Sequence, residues 1–425
     1  MVFSFDIDYK DISTELCEIG SKYDTSKSSL RNSNTDLINC RPYTIFYNDF
    51  FIKQRNEKLT LAEIGISNGG SLLMWSEFFN NSKIYGFEYN NQLIDKLKDK
   101  LKDKLKNKVN NNNIFLSEID VRYQTKISKK FNNINEKFDI IIDNSTHKFE
   151  DQIRLIKNIY HFLKPGGVII IEDIFKSYDE NDYILKLNNY LEFFQEYFFI
   201  TLDHSRNKDN NKDNNKLFVL IKNGKKIFDN SKKITIITPS CRPENLIKIR
   251  ECLNFNFIKE WIIVYDSRKV IENNKLFLHD LNNDKISEYF HNSRGISGNP
   301  QRNFAFKNIK NKDTYVYYLD DDNIIHPDFY KLLTIIGEDK LCTFNQKNMK
   351  SNNLDNILFG NNIEIDKMNT SMFLFFFKFN KLTQWDINKY NAYGYYIKEI
   401  YDTNKKNWIY INNELSYRNY LTDFV

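Results

Sequence analysis

"LAEIGISNGGSLLMW", residues 61–75, decides the fold of the first half of the chain. An apolar run carrying Glu63 ends in a turn that holds Gly65, Gly69 and Gly70. Ser71 then opens a second apolar stretch with helical spacing. Strand, glycine turn and helix in that order let backbone N–H groups at a helix N-terminus approach a ligand closely. A glycine turn alone is weak evidence, so its neighbours matter. Working outward, "KIYGFEY" (83–89), "NIFLSEI" (113–119), "FDIIID" (138–143), "GGVIIIED" (166–173), "FFITLDH" (198–204) and "KLFVLIK" (216–222) alternate with helical patterns. Runs this apolar suit strands covered on both faces, which predicts a mostly parallel α/β sheet. The last two flank a polar stretch, "SRNKDNNKDNN" (205–215), and read as a closing antiparallel hairpin.

Composition bounds the rest. The chain has 425 residues, enough for two or three domains, and 41% are hydrophobic, so each can bury a core. The 61 basic and 56 acidic residues nearly balance at a formal +5, which argues against nucleic acid and leaves room for small anionic ligands. Five cysteines lie far apart without a CxxC pair, so neither a disulfide framework nor a zinc site is expected. The acidic start "MVFSFDIDYKDIS" lacks the basic and apolar regions of a signal peptide, and the most apolar run, "MFLFFF" (372–377), is far too short to span a membrane. A soluble, cytoplasmic protein is the expectation. The helix pattern "QLIDKLKDKLKDKLKNK" (92–108) places Leu93, Leu97, Leu101 and Leu105 on one stripe and reads as a charge-laced surface helix rather than a basic binding face.

Acids stand at the strand ends of this half. Glu88 closes the second strand, where a carboxylate accepts two ribose hydroxyls, and Asp120 follows the third, where it meets an adenine amino group. With the glycine turn, these residues resemble the class I S-adenosylmethionine-dependent methyltransferases. "SKYDTSKSS" (21–29), "RPYTIFY" (41–47), "FDIIIDNSTHKFEDQ" (138–152) and "FLKPGGVIIIED" (162–173) are similar to the metal-assisted sugar O-methyltransferases of macrolide tailoring, over about residues 15–222. The resemblance implies a divalent ion held by Glu172, Asp173 and the Asp143–Asn144 step, with Asp143 also bordering the methyl donor. It implies His147 as general base on the acceptor. A sugar hydroxyl has a pKa far above 7, so a Lewis-acid ion and an imidazole together make its deprotonation feasible. Asn144 stands where the family carries a second carboxylate, which weakens the metal site, and Arg41 replaces a histidine ahead of "YT". Taken singly, Glu172 and Asp173 read as loop caps and His147 as a surface histidine; at neighbouring strand ends together they favour a site.

After the lysine-rich "NGKKIFDNSKK" (223–233) the strand pattern restarts with "KITIITPS" (233–240), "EWIIVYDS" (260–267) and "TYVYYLDDD" (314–322). Three crowded aspartates after a buried-looking strand suit a cation better than an acidic turn does. With "NSRGISGNPQRNFAF" (292–306), the pieces resemble the GT-A nucleotide-sugar glycosyltransferases, family-two-like, over about 233–425. That resemblance implies Asp320 and Asp322 on Mg²⁺ or Mn²⁺ against a diphosphate, and Asp321 reaching the ribose or sugar. Thr238, Pro239, Arg242 and Asp266 would line the base, and Arg302 would face the phosphates. Tyr393 stands where inverting members carry a catalytic aspartate, leaving Asp386 or Glu399 as substitutes.

Together these readings predict two tandem α/β domains, 1–228 a Rossmann-like methyltransferase and 229–425 a GT-A domain. The function they imply is bifunctional: S-adenosylmethionine-dependent methylation of a sugar hydroxyl, plus metal-dependent glycosyl transfer from a UDP- or GDP-sugar to a glycan or glycolipid. The alternative keeps one half catalytic and makes the other a sugar- or nucleotide-binding module. RNA cap modification is disfavoured by the near-neutral charge.

Overall fold

The computed structural model describes residues 3–30, 40–105, 113–206, 213–270, 284–350 and 356–422. The end of the lysine-rich helix pattern (106–108) and the tip of the polar hairpin (207–212) lie outside them. The chain divides into two compact units, Met1–Asp229 and Asn230–Val425.

In the first unit the strands are β1 (Ser4–Asp8), β2 (Thr60–Ile64), β3 (Lys83–Glu88), β4 (Ile114–Glu118), β5 (Phe138–Asp143), β6 (Leu163–Ile174), β7 (Phe194–Asp203) and β8 (Lys216–Lys222). Helices α1 (Glu15–Lys22), α2 (Tyr43–Phe51), α3 (Gly70–Phe78), α4 (Asn91–Leu105), α5 (Gln124–Ile134), α6 (Phe149–Ile159) and α7 (Glu180–Leu191) connect them. Pairing sets the order β1–β7–β8–β6–β5–β2–β3–β4, parallel except where β8 runs antiparallel between β6 and β7. This is a Rossmann-like α/β sheet. Its strand order reverses between β2 and β5, the switch point outside whose strand ends such sheets bind ligands. All of β2 and β5 is buried, as runs covered on both faces require. The core between sheet and helices includes Phe87, Phe131, Ile141, Ile169 and Phe218. β1 differs from the expectation from sequence, which assigned no strand there: "SFDID" alternates half-buried and buried positions and adds an outer parallel strand to β7.

The second unit holds β9 (Ile234–Ser240), α8 (Asn245–Cys252), β10 (Ile258–Asp266), β11 (Ile286–His291), α9 (Asn299–Lys307), β12 (Tyr315–Tyr318), β13 (Ile324–Ile325), α10 (Asp328–Ile335), β14 (Leu341–Asn348), β15 (Ile357–Leu358), β16 (Phe373–Phe376), α11 (Ala392–Asn404) and β17 (Trp408–Arg418). The parallel set β11–β10–β9–β12 continues into β16, antiparallel to both β12 and β14, and β14 then pairs parallel with β17. "MFLFFF" thus becomes an inner strand, its Phe375 and Leu374 fully buried. Around Tyr318, the Trp385 and Tyr396 rings pack with centroids 5.0 and 5.7 Å away, fixing the loop before α11 against the end of β12.

Candidate functional site

At the switch point of the first unit lies a cleft of about 720 Å³, within the range of small-molecule sites. Its walls come from the ends of five strands: Ile64 and Gly65 at the end of β2, Glu88 and Tyr89 at the end of β3, Asp120 and Arg122 after β4, Asn144 to His147 after β5, and Asp173 on β6. Gly65 has φ 84°, and a β-carbon there would collide with the Asn144 carbonyl, so the turn closes onto the β5 strand end only with glycine. Gly69, Gly70, Ser71 and Glu63 do not line the cleft. Glycine and serine here start α3, and Glu63 is fully buried beneath it, bonded by the Trp75 indole N–H at 3.0 Å and paired with Lys27 at 3.3 Å.

Glu88 is nearly buried, its two oxygens accepting from the backbone N–H groups of Ser67 at 3.3 Å and Tyr89 at 2.9 Å. A carboxylate has about four acceptor positions, so Glu88 keeps capacity for two hydroxyls. Asp120 is gripped by the Arg122 fork at 2.8 Å on each oxygen, a bond that holds its carboxyl below the usual range. Both line the cleft, and both suit the polar edges of an adenosine-like ligand.

Across from them sits His147, whose Nε2 lies 3.7 Å from an Asp173 carboxylate oxygen while its buried Nδ1 has no hydrogen-bond partner among the described residues. Burial lowers the His147 pKa, with Lys27 and Arg41 adding to the effect against Asp173, so the imidazole is neutral near pH 7 and able to take a proton. Ser67, His147 and Asp173 have φ of 43°, 57° and 54°, a left-handed backbone that non-glycine residues adopt at a cost of roughly 1–3 kcal/mol each. All three line this one cleft. Strain gathered in that way is characteristic of functional sites.

The expected divalent-metal set does not fit. Glu172 is buried, with one oxygen taken by the Tyr47 hydroxyl at 2.5 Å and the other by the Lys27 ammonium. Asp173 accepts from Tyr43 at 2.7 Å and Arg41 at 3.1 Å. Asp143 is 1% exposed; Ser145 bonds one oxygen, and the other has no hydrogen-bond partner among the described residues. Burial pushes the Asp143 carboxyl up to about 6, so its charged form is disfavoured relative to that of a solvated aspartate. Burial also raises Glu172 despite its ammonium neighbour, and Lys27 ends raised because Glu172 and Glu63 outweigh its own burial. Among the described residues no group of three or more His, Cys, Asp or Glu is disposed to hold a metal ion.

In the second unit the three aspartates part company. Asp321 is 3% exposed and accepts from the backbone N–H groups of Cys241 and Arg242, both at 2.8 Å, and from the Arg242 guanidinium at 3.0 and 2.5 Å. It ties β9 to the end of β12 and does not point to a ribose or sugar, which corrects the expectation for that residue. Asp320 pairs with Arg302 and Asp322 with Arg242 at 3.0 Å, their side chains 24% and 18% exposed. Each keeps an open side, and one or two such carboxylates are enough for an ion held mainly through phosphates. Arg302 also lies over the Trp385 ring, 4.6 Å from its centroid. Thr238 and Pro239 are buried, Thr238 accepting from the Trp261 indole at 3.0 Å, so neither is open to a base. Asp266 is held by the Arg268 fork at 2.8 and 2.6 Å, which lowers its pKa. Of the two substitute bases, Asp386 follows Trp385 directly, and its carbonyl accepts from Asn299 on α9 at 2.9 Å. Glu399 lies on α11 at an exposed position, and Tyr393 packs against the core from the same helix.

Residues 62–169 match the family model described as "Methyltransferase domain". The match lies within the first unit. Among curated relatives, demethylmacrocin O-methyltransferase of Streptomyces fradiae is 29% identical over 144 residues, 32% of each chain. Mycinamicin VI 2''-O-methyltransferase of Micromonospora griseorubida is 28% identical over 171 residues, 39% of this chain and 37% of its own. The chain spans about a third of the length of these relatives. A mycinamycin-pathway methyltransferase solved with Mg and SAH aligns at 20% identity and TM-score 0.34, covering 50% of this chain and 55% of that one. No helix among the described residues is long and apolar enough to cross a membrane.

Lys27, Tyr43 and Tyr47 of the first unit have no role that their sequence context assigns. Tyr43 and Tyr47 are four apart on α2, a spacing that puts both hydroxyls on one helix face, towards Asp173 and Glu172. That periodicity was the available signal.

Proposed function

We propose that the first unit transfers a methyl group from S-adenosylmethionine to a sugar hydroxyl. The observation that carries this is the single cleft in which Glu88 and Asp120 stand at one set of strand ends and His147 with Asp173 at the next. Its curated relatives, named as O-methyltransferases acting on demethylmacrocin and mycinamicin VI, support the acceptor class. When bound, the donor supplies an activated methyl group. Glu88 would hold its ribose hydroxyls, Asp120 its adenine edge, and the Gly65 turn its backbone-facing side. His147, neutral near pH 7, would accept the acceptor proton at Nε2, and Asp173 would stabilise the resulting imidazolium from 3.7 Å. Titration with S-adenosylhomocysteine by calorimetry tests the reading: binding by the native chain and its loss in Glu88→Ala are expected, and a native chain that does not bind would refute it.

We infer a second activity for the other unit, glycosyl transfer from a nucleotide sugar. Its support is the pair of partly open carboxylates Asp320 and Asp322 at the end of a buried parallel strand, with Arg302 beside them. A divalent ion there would neutralise the departing diphosphate, and Asp386 is the better placed acceptor base. Two such units on one chain keep an intermediate at raised local concentration. Release of UDP or GDP from a panel of nucleotide sugars, with and without Mn²⁺, tests it. Turnover of none of them, with S-adenosylhomocysteine binding intact, would leave the second unit as a binding module at most.

A further inference from the structure

We propose that Lys27 is the resident cation beneath the methyltransferase cleft and that the first unit uses no divalent ion there. The inference rests on the methyl-transfer reading of that cleft. Lys27 is 2% exposed and its ammonium bridges two buried carboxylates, contacting Glu172 and lying 3.3 Å from Glu63. The remaining oxygens of both are engaged, that of Glu172 by the Tyr47 hydroxyl at 2.5 Å and that of Glu63 by the Trp75 indole at 3.0 Å. A hard ion such as Mg²⁺ demands octahedral oxygens at about 2.0–2.1 Å and dehydrates reluctantly. To recruit Glu172 it would have to expel Lys27 or stand beside its ammonium in a medium of low dielectric, where like charges repel strongly.

The lysine does more than cancel charge. Glu172 is the neighbour of Asp173 on β6, and Asp173 carries the left-handed backbone, φ 54°, that presents its carboxylate to His147. Anchoring Glu172 inward through Lys27 and Tyr47 leaves the next side chain turned into the cleft. Lys27 is thus a positioning residue for the base, acting through Glu172 and Asp173.

The test uses the full chain carrying Asp320→Asn and Asp322→Asn, which removes the second unit's open carboxylates. Mn²⁺ binding is followed by electron paramagnetic resonance, and S-adenosylhomocysteine binding by calorimetry in EDTA and in Mn²⁺. No Mn²⁺ per chain is expected, with equal S-adenosylhomocysteine affinity under both conditions. Adding Lys27→Ala should create a Mn²⁺ site, because two buried carboxylates then lack their cation. One Mn²⁺ bound with Lys27 in place, and lost on Glu172→Gln, would overturn the proposal. That result would count against Lys27 whether or not the alanine variant folds. Failure to bind S-adenosylhomocysteine would instead sink the methyl-donor reading, and the Mn²⁺ stoichiometry would still judge Lys27.

Discussion

Both units end parallel strands in carboxylates, yet they neutralise them by different means. In the first, Glu63 and Glu172 are almost fully buried and share one ammonium, with a tyrosine bonding Glu172 and a tryptophan bonding Glu63. In the second, Asp320 and Asp322 stay partly exposed and each leans on one arginine, while only Asp321 is enclosed. A compact ammonium sits between two buried acids in the first unit, whereas the planar Arg242 guanidinium binds the enclosed Asp321 through two nitrogens and reaches Asp322, which stays partly exposed. The first arrangement already holds an ammonium between its acids. The second leaves part of each outer carboxylate exposed.

The largest effect expected of this contrast comes from Lys27→Met. Removing one partner of a buried ion pair strands uncompensated charge and costs about 3–5 kcal/mol. Thermal melting should show the first unit unfolding well below the native chain, and an unchanged melting point would show that the ammonium is dispensable. Next comes His147→Gln, which leaves the carboxylate floor intact; methyl transfer should fall by roughly 10²–10⁴-fold with S-adenosylhomocysteine affinity retained. Arg242→Ala should cost less than Lys27→Met, about 1–2 kcal/mol in urea denaturation, because the backbone N–H groups at 241 and 242 still hold Asp321. A loss as large as that of Lys27→Met would erase the distinction between the units.

Two smaller effects follow from pH. His147 has its pKa lowered from 6.5, so the acid limb of kcat/KM for methyl transfer should fall below that value; a limb above it would exclude a buried neutral imidazole. Asp143 has its carboxyl raised from 3.8 to about 6, so the folded state retains a proton that the unfolded chain releases between those values. Its contribution is therefore fully present below 3.8 and is lost as pH rises through about 6. Asp143→Asn keeps the acceptor for Ser145 and should raise the melting temperature at pH 8 more than at pH 4.

Much of this architecture was legible in the sequence. Strands β2 to β8 announce themselves as apolar runs because both faces of a parallel sheet are covered, and Glu88, Asp120 and Asp173 stand at their ends by local sequence alone. β1 escaped because Asp6 and Asp8 alternate with Phe5 and Ile7, as an outer strand allows, and acids at a chain start read as polar tail. Lys27 escaped for a deeper reason. It meets Glu172 across 145 residues, and no periodicity records a partner that tertiary folding alone brings near. Asp320 and Asp321 look alike in sequence, and only the turn of the backbone after β12 separates an enclosed anchor from a partly open carboxylate.

The left-handed backbones of Ser67, His147 and Asp173 have a consequence for anyone who would make this protein more robust. Glycine at any of the three would relax the chain, and a screen for heat resistance would find such replacements early. Each would remove a side chain from the cleft. Selection for endurance and selection for catalysis should therefore pull these three positions in opposite directions, and the residues that survive both pressures mark what the chemistry cannot do without.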